Sequence, residues 1–228
     1  MPIWLFAFLP AVVALAGALW TAMRPPAPAT IGAIQHFAAG VVLYAVAGEL
    51  LPEMLSSGAI WPIVVGGGAG ILAMLFLRRA TAGARGPAGL VATSALDGLI
   101  DGLVLGLAFA AGARQGGLLA VALAIEFLFL GLSVAGAFAP SMPRWKTVAA
   151  TVGIALTVPP GMLIAWPAAA LPEVWQAAAF AFGLVALLYL VTEELLTEAH
   201  ERPETEWGTA MIFVGFLTLA VIDAAMRG

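Results

Sequence analysis

Eight long apolar stretches run through this chain, and they constrain its fold more than any other feature. A helix needs about 20 apolar residues to cross the hydrocarbon core of a bilayer. The breaks between the stretches carry proline, glycine or charge. We therefore predict an all-α integral membrane protein in which residues 1–228 form a single transmembrane domain. The predicted spans, numbered α1 to α8, are 3–23, 31–52, 59–77, 88–112, 115–138, 146–169, 174–198 and 206–226.

Composition agrees with a membrane protein and excludes several other classes. Only 10% of the residues are charged, whereas a soluble domain carries about 25%, so the bilayer is the expected partner. The chain has no cysteine, which excludes disulfides and thiolate metal sites. No basic cluster exceeds Arg78, Arg79 and Arg85, so we expect no nucleic acid partner. No nucleophile–base pair or cofactor motif appears, so we do not expect an enzyme.

Basic residues are divided unevenly between the two sides of the predicted membrane. Lysine and arginine favour cytoplasmic loops. The loops after α1, α3, α5 and α7 hold seven of the nine: Arg24, Arg78, Arg79, Arg85, Arg144, Lys146 and Arg202. The other side holds Arg114 and Arg227. The distribution predicts both termini outside the cytoplasm, in a membrane of the bacterial inner type. All loops are short, so the function must lie within the helices.

One sequence pattern occurs twice, at the ends of α2 and α7. LYAVAGELLPE (43–53) and LYLVTEELLTE (188–198) are identical at seven of eleven positions, at an offset of 145 residues. Because α2 and α7 cross the membrane in opposite directions, the two copies are antiparallel. We therefore predict an inverted repeat that pairs α1–α3 with α6–α8 around α4 and α5. Many secondary transporters build two related gates around a midplane site in this way.

Three acidic residues lie near the middle of the predicted spans with no basic residue at the same depth. Asp97 and Asp101 share one face of α4, and Glu126 is at the centre of α5. An acidic residue at mid-membrane costs about 2.5–3.5 kcal/mol and is a functional candidate by default. A proton or a bound cation can neutralise such residues, and a site that exchanges protons for a metal ion needs both states. The plainer alternative is a protonated structural cluster.

Further acidic residues lie toward the ends of α2 and α7, where we expect a cation to enter and leave. Acidic helix ends are also often only solvated, and lone interfacial histidines such as His36 and His200 are more often solvated than ligating. The predicted entrance residues are Glu49 and Glu53, and the predicted exit residues are Glu193, Glu194, Glu198 and His200.

Two backbone features accompany these charges. Gly98, Gly102 and Gly106 form a small-residue ridge on α4, which predicts close packing by another helix. The prolines of TVPPG (157–161) predict a kink in α6. The carbonyls freed at that kink could face an ion path, mark a hinge or have a purely structural role.

From about residue 31 to 200, the sequence resembles the ZIP family of divalent-metal transporters. The second helix of that family typically ends in an acidic LLPE, and α2 ends in GELLPEM. Its seventh helix often reads like LYVVSEEIIPE, and α7 reads LYLVTEELLTE. Its fourth helix carries His-Asn-x-Pro-Glu-Gly before LAVGVAF-like sequence. In DGLIDGLVLGLAF, Asp97 takes the His position, Asp101 the Glu position and Gly102 the Gly position.

The resemblance implies eight spans in a 3+2+3 arrangement and transport of a divalent metal, but the central residues differ. In EFLFLGLSVAG of α5, Glu126 takes the His position of a similar motif, Leu130 the Glu position and Gly131 the Gly position. No histidine remains at the centre, both motif prolines are absent, and the usual histidine-rich loop after α3 is missing. We therefore expect one metal site, formed by Asp97, Asp101 and Glu126.

The identity of the cation stays open at this point. Oxygen ligands favour Mn²⁺, Mg²⁺ or Ca²⁺, although Zn²⁺ and Fe²⁺ also accept carboxylates. Two other functions fit the same residues. One is transport of protons or a small organic cation on the same scaffold, and the other is a non-transporting sensor or subunit derived from the family. A homodimer is one option for the assembly.

Overall fold

The structure, a computed structural model, is helical and describes residues 3–24, 26–81, 86–138, 142–203 and 205–227. Within those ranges there is no strand, and eight helices are long and apolar enough to cross a membrane. They are α1 (Trp4–Met23), α2 (Pro28–Leu55), α3 (Ile60–Thr81), α4 (Gly86–Ala111), α5 (Ala113–Phe138), α6 (Arg144–Ala170), α7 (Glu173–His200) and α8 (Glu206–Arg227). The prediction of an all-α membrane protein with eight spans is confirmed. Arg85 lies outside the described residues.

The eight helices pack as two groups of four. One group contains α1, α4, α5 and α6, with close pairing of α1 with α5 and of α4 with α6. The other contains α2, α3, α7 and α8, with close pairing of α2 with α8 and of α3 with α7. The main contacts between the groups are those of α2 with α5 and of α4 with α7. We call the membrane side where α1 begins and α8 ends the terminal side, and the other the opposite side.

Glycines allow α4 and α6 to approach each other within backbone contact distance. A Cβ atom at Gly102 would overlap the carbonyl oxygen of Val158, and one at Gly161 would overlap the carbonyl oxygen of Leu99. The small-residue ridge predicted on α4 is therefore a packing surface. Its partner is α6, and the contact lies beside Asp101, one residue before Gly102.

The predicted kink in α6 is a break in the helix. Regular α-helix ends at Ala155 and resumes at Val158, ahead of the paired prolines. The Thr157 hydroxyl donates to the Ile154 carbonyl oxygen at 2.7 Å, which satisfies one acceptor at the break. A Cβ atom at Gly98 would overlap that same hydroxyl. The break thus lies against the glycine ridge of α4, which favours the structural interpretation of the kink over a role in an ion path.

α2 and α7 have the same internal construction. In α2, regular helix (Pro28–Ala45) is followed by a π-helical turn (Val46–Leu50) and one more helical turn (Leu51–Leu55). In α7 the corresponding segments are Glu173–Leu190, Val191–Leu195 and Leu196–His200. Every boundary repeats at an offset of 145 residues. Such π turns are rare and occur frequently at functional sites. Each of these two carries an acidic residue at the same place, Glu49 in α2 and Glu194 in α7.

Candidate functional site

A cavity of about 90 Å³ lies between α4, α5 and α7. It extends from the middle of the spans toward the opposite side, where Ser94 of α4 and Ser133 of α5 contribute hydroxyls. No lysine, arginine or histidine among the described residues lines it. The acidic residues on its wall are Asp97, Asp101, Glu126, Glu194 and Glu198. The structure therefore brings the three predicted central carboxylates to one cavity, together with two residues that we had expected only along an exit.

Each of the three central carboxylates has an oxygen that is buried without a hydrogen-bond partner. These atoms are Oδ1 of Asp97, Oδ1 of Asp101 and Oε2 of Glu126. Asp101 is the most enclosed, with 2% of its surface exposed. Burying a polar group without a partner costs free energy, and burying an isolated charge costs far more. The cavity wall thus presents acceptor oxygens that need a proton, a water molecule or a cation.

The central carboxylates do not form a ready-made coordination sphere. Within the described ranges, no group of three or more acidic, histidine or cysteine side chains is close enough to hold a metal ion as it stands. The side chains line the cavity from α4 and α5. A bound ion would therefore need side-chain rotation or water molecules to complete its coordination.

Glu194 belongs to the central cavity as well as to the end of α7. Its side chain lies within hydrogen-bonding distance of that of Asp97. An ionised carboxylate only accepts hydrogen bonds, so a bond between two carboxyl groups requires a proton on one of them. The sequence did not reveal this contact, because regular helical spacing does not anticipate the π turn that carries Glu194. The match of Glu194 with Glu49 in the repeated pattern was the one available signal.

The remaining predicted exit residues lie around the mouth of the cavity or away from it. Glu198 lines the cavity and accepts a hydrogen bond from Nε2 of Gln35 at 2.9 Å. Glu193 pairs instead with Arg78 at 3.2 Å, and both side chains are largely exposed. Exposed ion pairs contribute about 0–1 kcal/mol. Glu193 and Arg78 line a second cavity of about 130 Å³, which shares Asp97 and Glu194 with the first.

Arg202 connects the two helix groups on the opposite side. Its Nε donates to Oε1 of Gln35 at 3.1 Å, and its Nη2 donates to the Ser133 hydroxyl at 3.2 Å. Gln35 is on α2 and Ser133 on α5, so this arginine joins one group to the other next to the cavity. Arg202 was noted in the sequence only for its effect on orientation.

The two histidines lie together, near α2's first turns and at the end of α7. The ring centroids of His36 and His200 are 5.3 Å apart with the rings nearly edge to face. Nδ1 of His36 is 2.9 Å from the Gly32 carbonyl oxygen, and its Nε2 is buried without a partner. Neither ring lines the central cavity. His200, expected among the exit residues, thus contacts His36 beside that route.

On the terminal side, ion pairs connect the two helix groups. Arg114 is in the first turn of α5 and donates to both oxygens of Glu49, at 3.2 and 3.4 Å. It also pairs with Asp223 of α8. Glu49 and Asp223 are almost completely buried. Residues of α4 and α5 between this network and the central carboxylates, such as Leu105 and Leu118, are fully buried. The cavity is therefore closed toward the terminal side.

Two neighbours complete this network. Arg227 donates to Oδ2 of Asp223 at 2.6 Å, and the Tyr44 hydroxyl donates to the same oxygen at 2.8 Å. Glu53, the second predicted entrance residue, accepts a weaker contact from Gln115 at 3.4 Å. The sequence did not predict a basic partner for the entrance residues. The structure provides one, because α5 begins at Ala113 and so brings Arg114 against α2.

Comparison with models of known protein families finds no match for the chain, and comparison with curated proteins finds no significant relative. Its function must therefore be inferred from the geometry of its own residues.

Proposed function

We propose that the chain is a secondary transporter that moves a divalent metal cation across the membrane through the central cavity by alternating access. The observation that carries this proposal is the set of three buried, unpartnered carboxylate oxygens of Asp97, Asp101 and Glu126 on one cavity wall. A carboxylate set without a basic partner needs positive charge from elsewhere. A mobile cation supplies it.

The chemistry of the wall defines the class of cation. Its ligands are carboxylate and hydroxyl oxygens, which suit Mn²⁺, Mg²⁺ and Ca²⁺, while Zn²⁺ and Fe²⁺ are also accepted by carboxylates. Acidic residues in the interior of a membrane protein are rare, and ion pathways and proton relays are among the functions that they mark. Asp97, Asp101 and Glu126 bind the ion, and Glu194 and Glu198 guide it at the mouth on the opposite side. Glu49 and Glu53 guide it on the terminal side.

Alternating access is supported by the symmetry of the helices. The inverted repeat that we propose pairs α1 with α6, α2 with α7, α3 with α8 and α4 with α5. Under this pairing, the contact of α1 with α5 corresponds to that of α6 with α4, and the contact of α2 with α8 to that of α7 with α3. The shared construction of α2 and α7 agrees with it. Relative movement of the two helix groups would then open the cavity to each side in turn.

We also propose that the protein is a divergent member of the ZIP family. The support is the sequence of α2, α4, α5 and α7 together with the eight spans. The carboxylates at the family's histidine positions, Asp97 and Glu126, then form a single oxygen-only site. The distribution of lysine and arginine favours an orientation with both termini outside the cytoplasm, in a bacterial-type inner membrane.

Uptake of Mn²⁺ into proteoliposomes tests the proposed transport. We expect saturable uptake by the wild type and its loss in the double variant Asp101→Asn, Glu126→Gln, which removes two charges with little change of shape. The matched control is Glu173→Gln, Glu206→Gln, which removes two exposed charges at helix starts and should transport normally. Unchanged uptake by the central double variant would refute the mechanism.

The second candidate is a transporter on the same scaffold that is proton-linked or that carries a small organic cation. One observation favours it. Asp97 and Glu194 line the same cavity, and a proton on either carboxyl group would let it donate to the other. Calorimetric titration of the purified protein with Mn²⁺, Zn²⁺ and Cd²⁺ separates the two candidates. Saturable heat that is lost in Asp101→Asn supports the metal transporter, and the absence of saturable heat with every divalent ion favours the second candidate.

A further inference from the structure

Two equivalent glutamates of the repeat have different partners in this structure. Glu194 lies on the wall of the central cavity, together with Asp97, Asp101 and Glu126. Glu49, its counterpart 145 residues earlier, is held by Arg114 on the terminal side. Both are carried by π turns at the same place in their helices. One glutamate of the repeat, Glu194, therefore lines the proposed cation site, whereas the other, Glu49, is bound to Arg114 away from that site.

The contact that withholds Glu49 crosses the boundary between the two helix groups. Arg114 belongs to α5, whereas Glu49 belongs to α2 and Asp223 to α8. A single nitrogen, Nη1 of Arg114, contacts both carboxylates. A positive charge of the protein therefore lies between two buried carboxylates, in an arrangement that a cation could also occupy.

The two carboxylates depend on Arg114 to different degrees. Asp223 has two further partners, Arg227 and Tyr44, which are in its own helix group and would stay with it if the groups moved. Glu49 is 2% exposed, and Arg114 is its sole hydrogen-bond partner among the described residues. Removing one partner of a buried ion pair leaves an uncompensated charge, which is strongly unfavourable. Once α5 carries Arg114 away, Glu49 therefore needs another positive charge.

We propose that Glu49 contacts the transported cation when the cavity is open to the terminal side, and that Arg114 takes the place of that cation on Glu49 in the state described here. Glu49 and Glu194 are then alternate contacts of one ion. Arg114 acts as a tethered counter-ion that keeps the terminal side closed until a cation replaces it. This inference rests on the proposed function, because it assigns two further residues to the same transport path.

Cysteine accessibility tests the closing role of Arg114 without any cation. The wild type has no cysteine, so single reporters can be introduced directly. Ser133→Cys lies on the cavity wall, and Leu105→Cys lies in the closed region toward the terminal side. Because hydrogen bonds to charged groups are among the stronger ones, loss of the Arg114 contact should shift the equilibrium between the two states by about tenfold or more.

In sealed vesicles treated with a membrane-impermeant maleimide, Arg114→Gln should therefore slow the labelling of Ser133→Cys from the opposite side. It should also allow Leu105→Cys to be labelled from the terminal side. The matched control is Arg227→Gln, which alters a contact within one helix group. It should leave both labelling rates within about twofold of those of the single-cysteine proteins that keep Arg227. If each single-cysteine protein is labelled at the same rate with and without Arg114→Gln, Arg114 does not close the terminal side.

Transport measurements separate the role of Glu49 from that of Arg114. With Mn²⁺ supplied on the terminal side, Glu49→Gln should raise the KM for uptake by about tenfold, because a charged ligand is lost. Arg114→Gln should not raise it, because the competing guanidinium is removed. If the two variants raise the KM equally, Glu49 is only a structural partner of Arg114. If the wild type itself transports no divalent cation, the proposed function fails, while the labelling experiment still reports on the closing contact.

Discussion

Replacement of Gly102 by alanine tests how α4 is held beside α6. The glycine packs against the backbone of α6, and an added Cβ atom would overlap the Val158 carbonyl oxygen. A backbone atom cannot rotate aside as the end of a flexible side chain can. The two helices must therefore separate by a few tenths of an ångström or more, and the change would spread to the neighbouring contact of Gly161 with Leu99.

The expected cost follows from the packing. Overfilling a close-packed interior destabilises a protein by about 1–3 kcal/mol. For a chain of about 150–250 residues, 1 kcal/mol corresponds to roughly 2–4 °C in melting temperature. We therefore expect Gly102→Ala to lower the melting temperature in detergent by about 2–12 °C. The neighbouring Asp101 should move relative to α5, so Mn²⁺ uptake should fall as well.

Gly153→Ala provides the matched control on the partner helix. Gly153 is also in a transmembrane helix, but a Cβ atom there would meet nothing within 4 Å. Alanine in a helix is favoured over glycine by about 0.5–1 kcal/mol, so this variant should melt at the wild-type temperature or slightly above. Thermal unfolding followed by intrinsic tryptophan fluorescence at one fixed heating rate compares the two. If Gly102→Ala and Gly153→Ala melt at the same temperature, the α4–α6 contact is not as close as described.

Three further outcomes are expected. Arg78→Gln should change the melting temperature by at most about 2–4 °C, because exposed ion pairs contribute about 0–1 kcal/mol; a larger drop in a thermal melt would contradict the exposed position of that pair. Mn²⁺ at about 100 times its Kd should stabilise the wild type by about 2.7 kcal/mol, and the same melt with Asp101→Asn, Glu126→Gln should show no such shift. Arg202→Gln should speed maleimide labelling of Ser133→Cys from the opposite side, because the guanidinium that lies against position 133 is replaced by a shorter side chain; unchanged labelling would show that Arg202 does not cover the cavity mouth.

The spans and the shared face of Asp97 and Asp101 could be predicted because each depends on local sequence. Apolar length determines a transmembrane helix, and spacing along α4 puts Asp97 and Asp101 on one face. The α4 ridge could also be predicted, since small residues at Gly98 and Gly102 leave room for a neighbour. These features need no knowledge of which helices meet.

The contacts of the cavity could not be predicted, because they depend on helix ends and irregular turns. Arg114 was assigned to the loop between the predicted spans 88–112 and 115–138, whereas α5 begins at Ala113 and brings Arg114 against Glu49. Asp223 lies within the predicted span 206–226, and only the packing of α8 on α2 brings Tyr44 to it. Glu194 reaches Asp97 through a π turn, which has no clear sequence signature.

A proton held between Asp97 and Glu194 would affect how membrane voltage acts on transport. If a divalent ion binds Asp97, it displaces that proton, and the site gains one net positive charge instead of two. Moving one elementary charge through a full membrane potential corresponds to about 2.3 kcal/mol per 100 mV. If the metal-loaded form crosses in one direction and the protonated form in the other, each cycle moves one net charge and one proton. The membrane voltage would then act on the charge, and the difference in pH across the membrane would act on the proton. Transport by the proposed mechanism would then respond to electrical and chemical proton gradients in a fixed ratio.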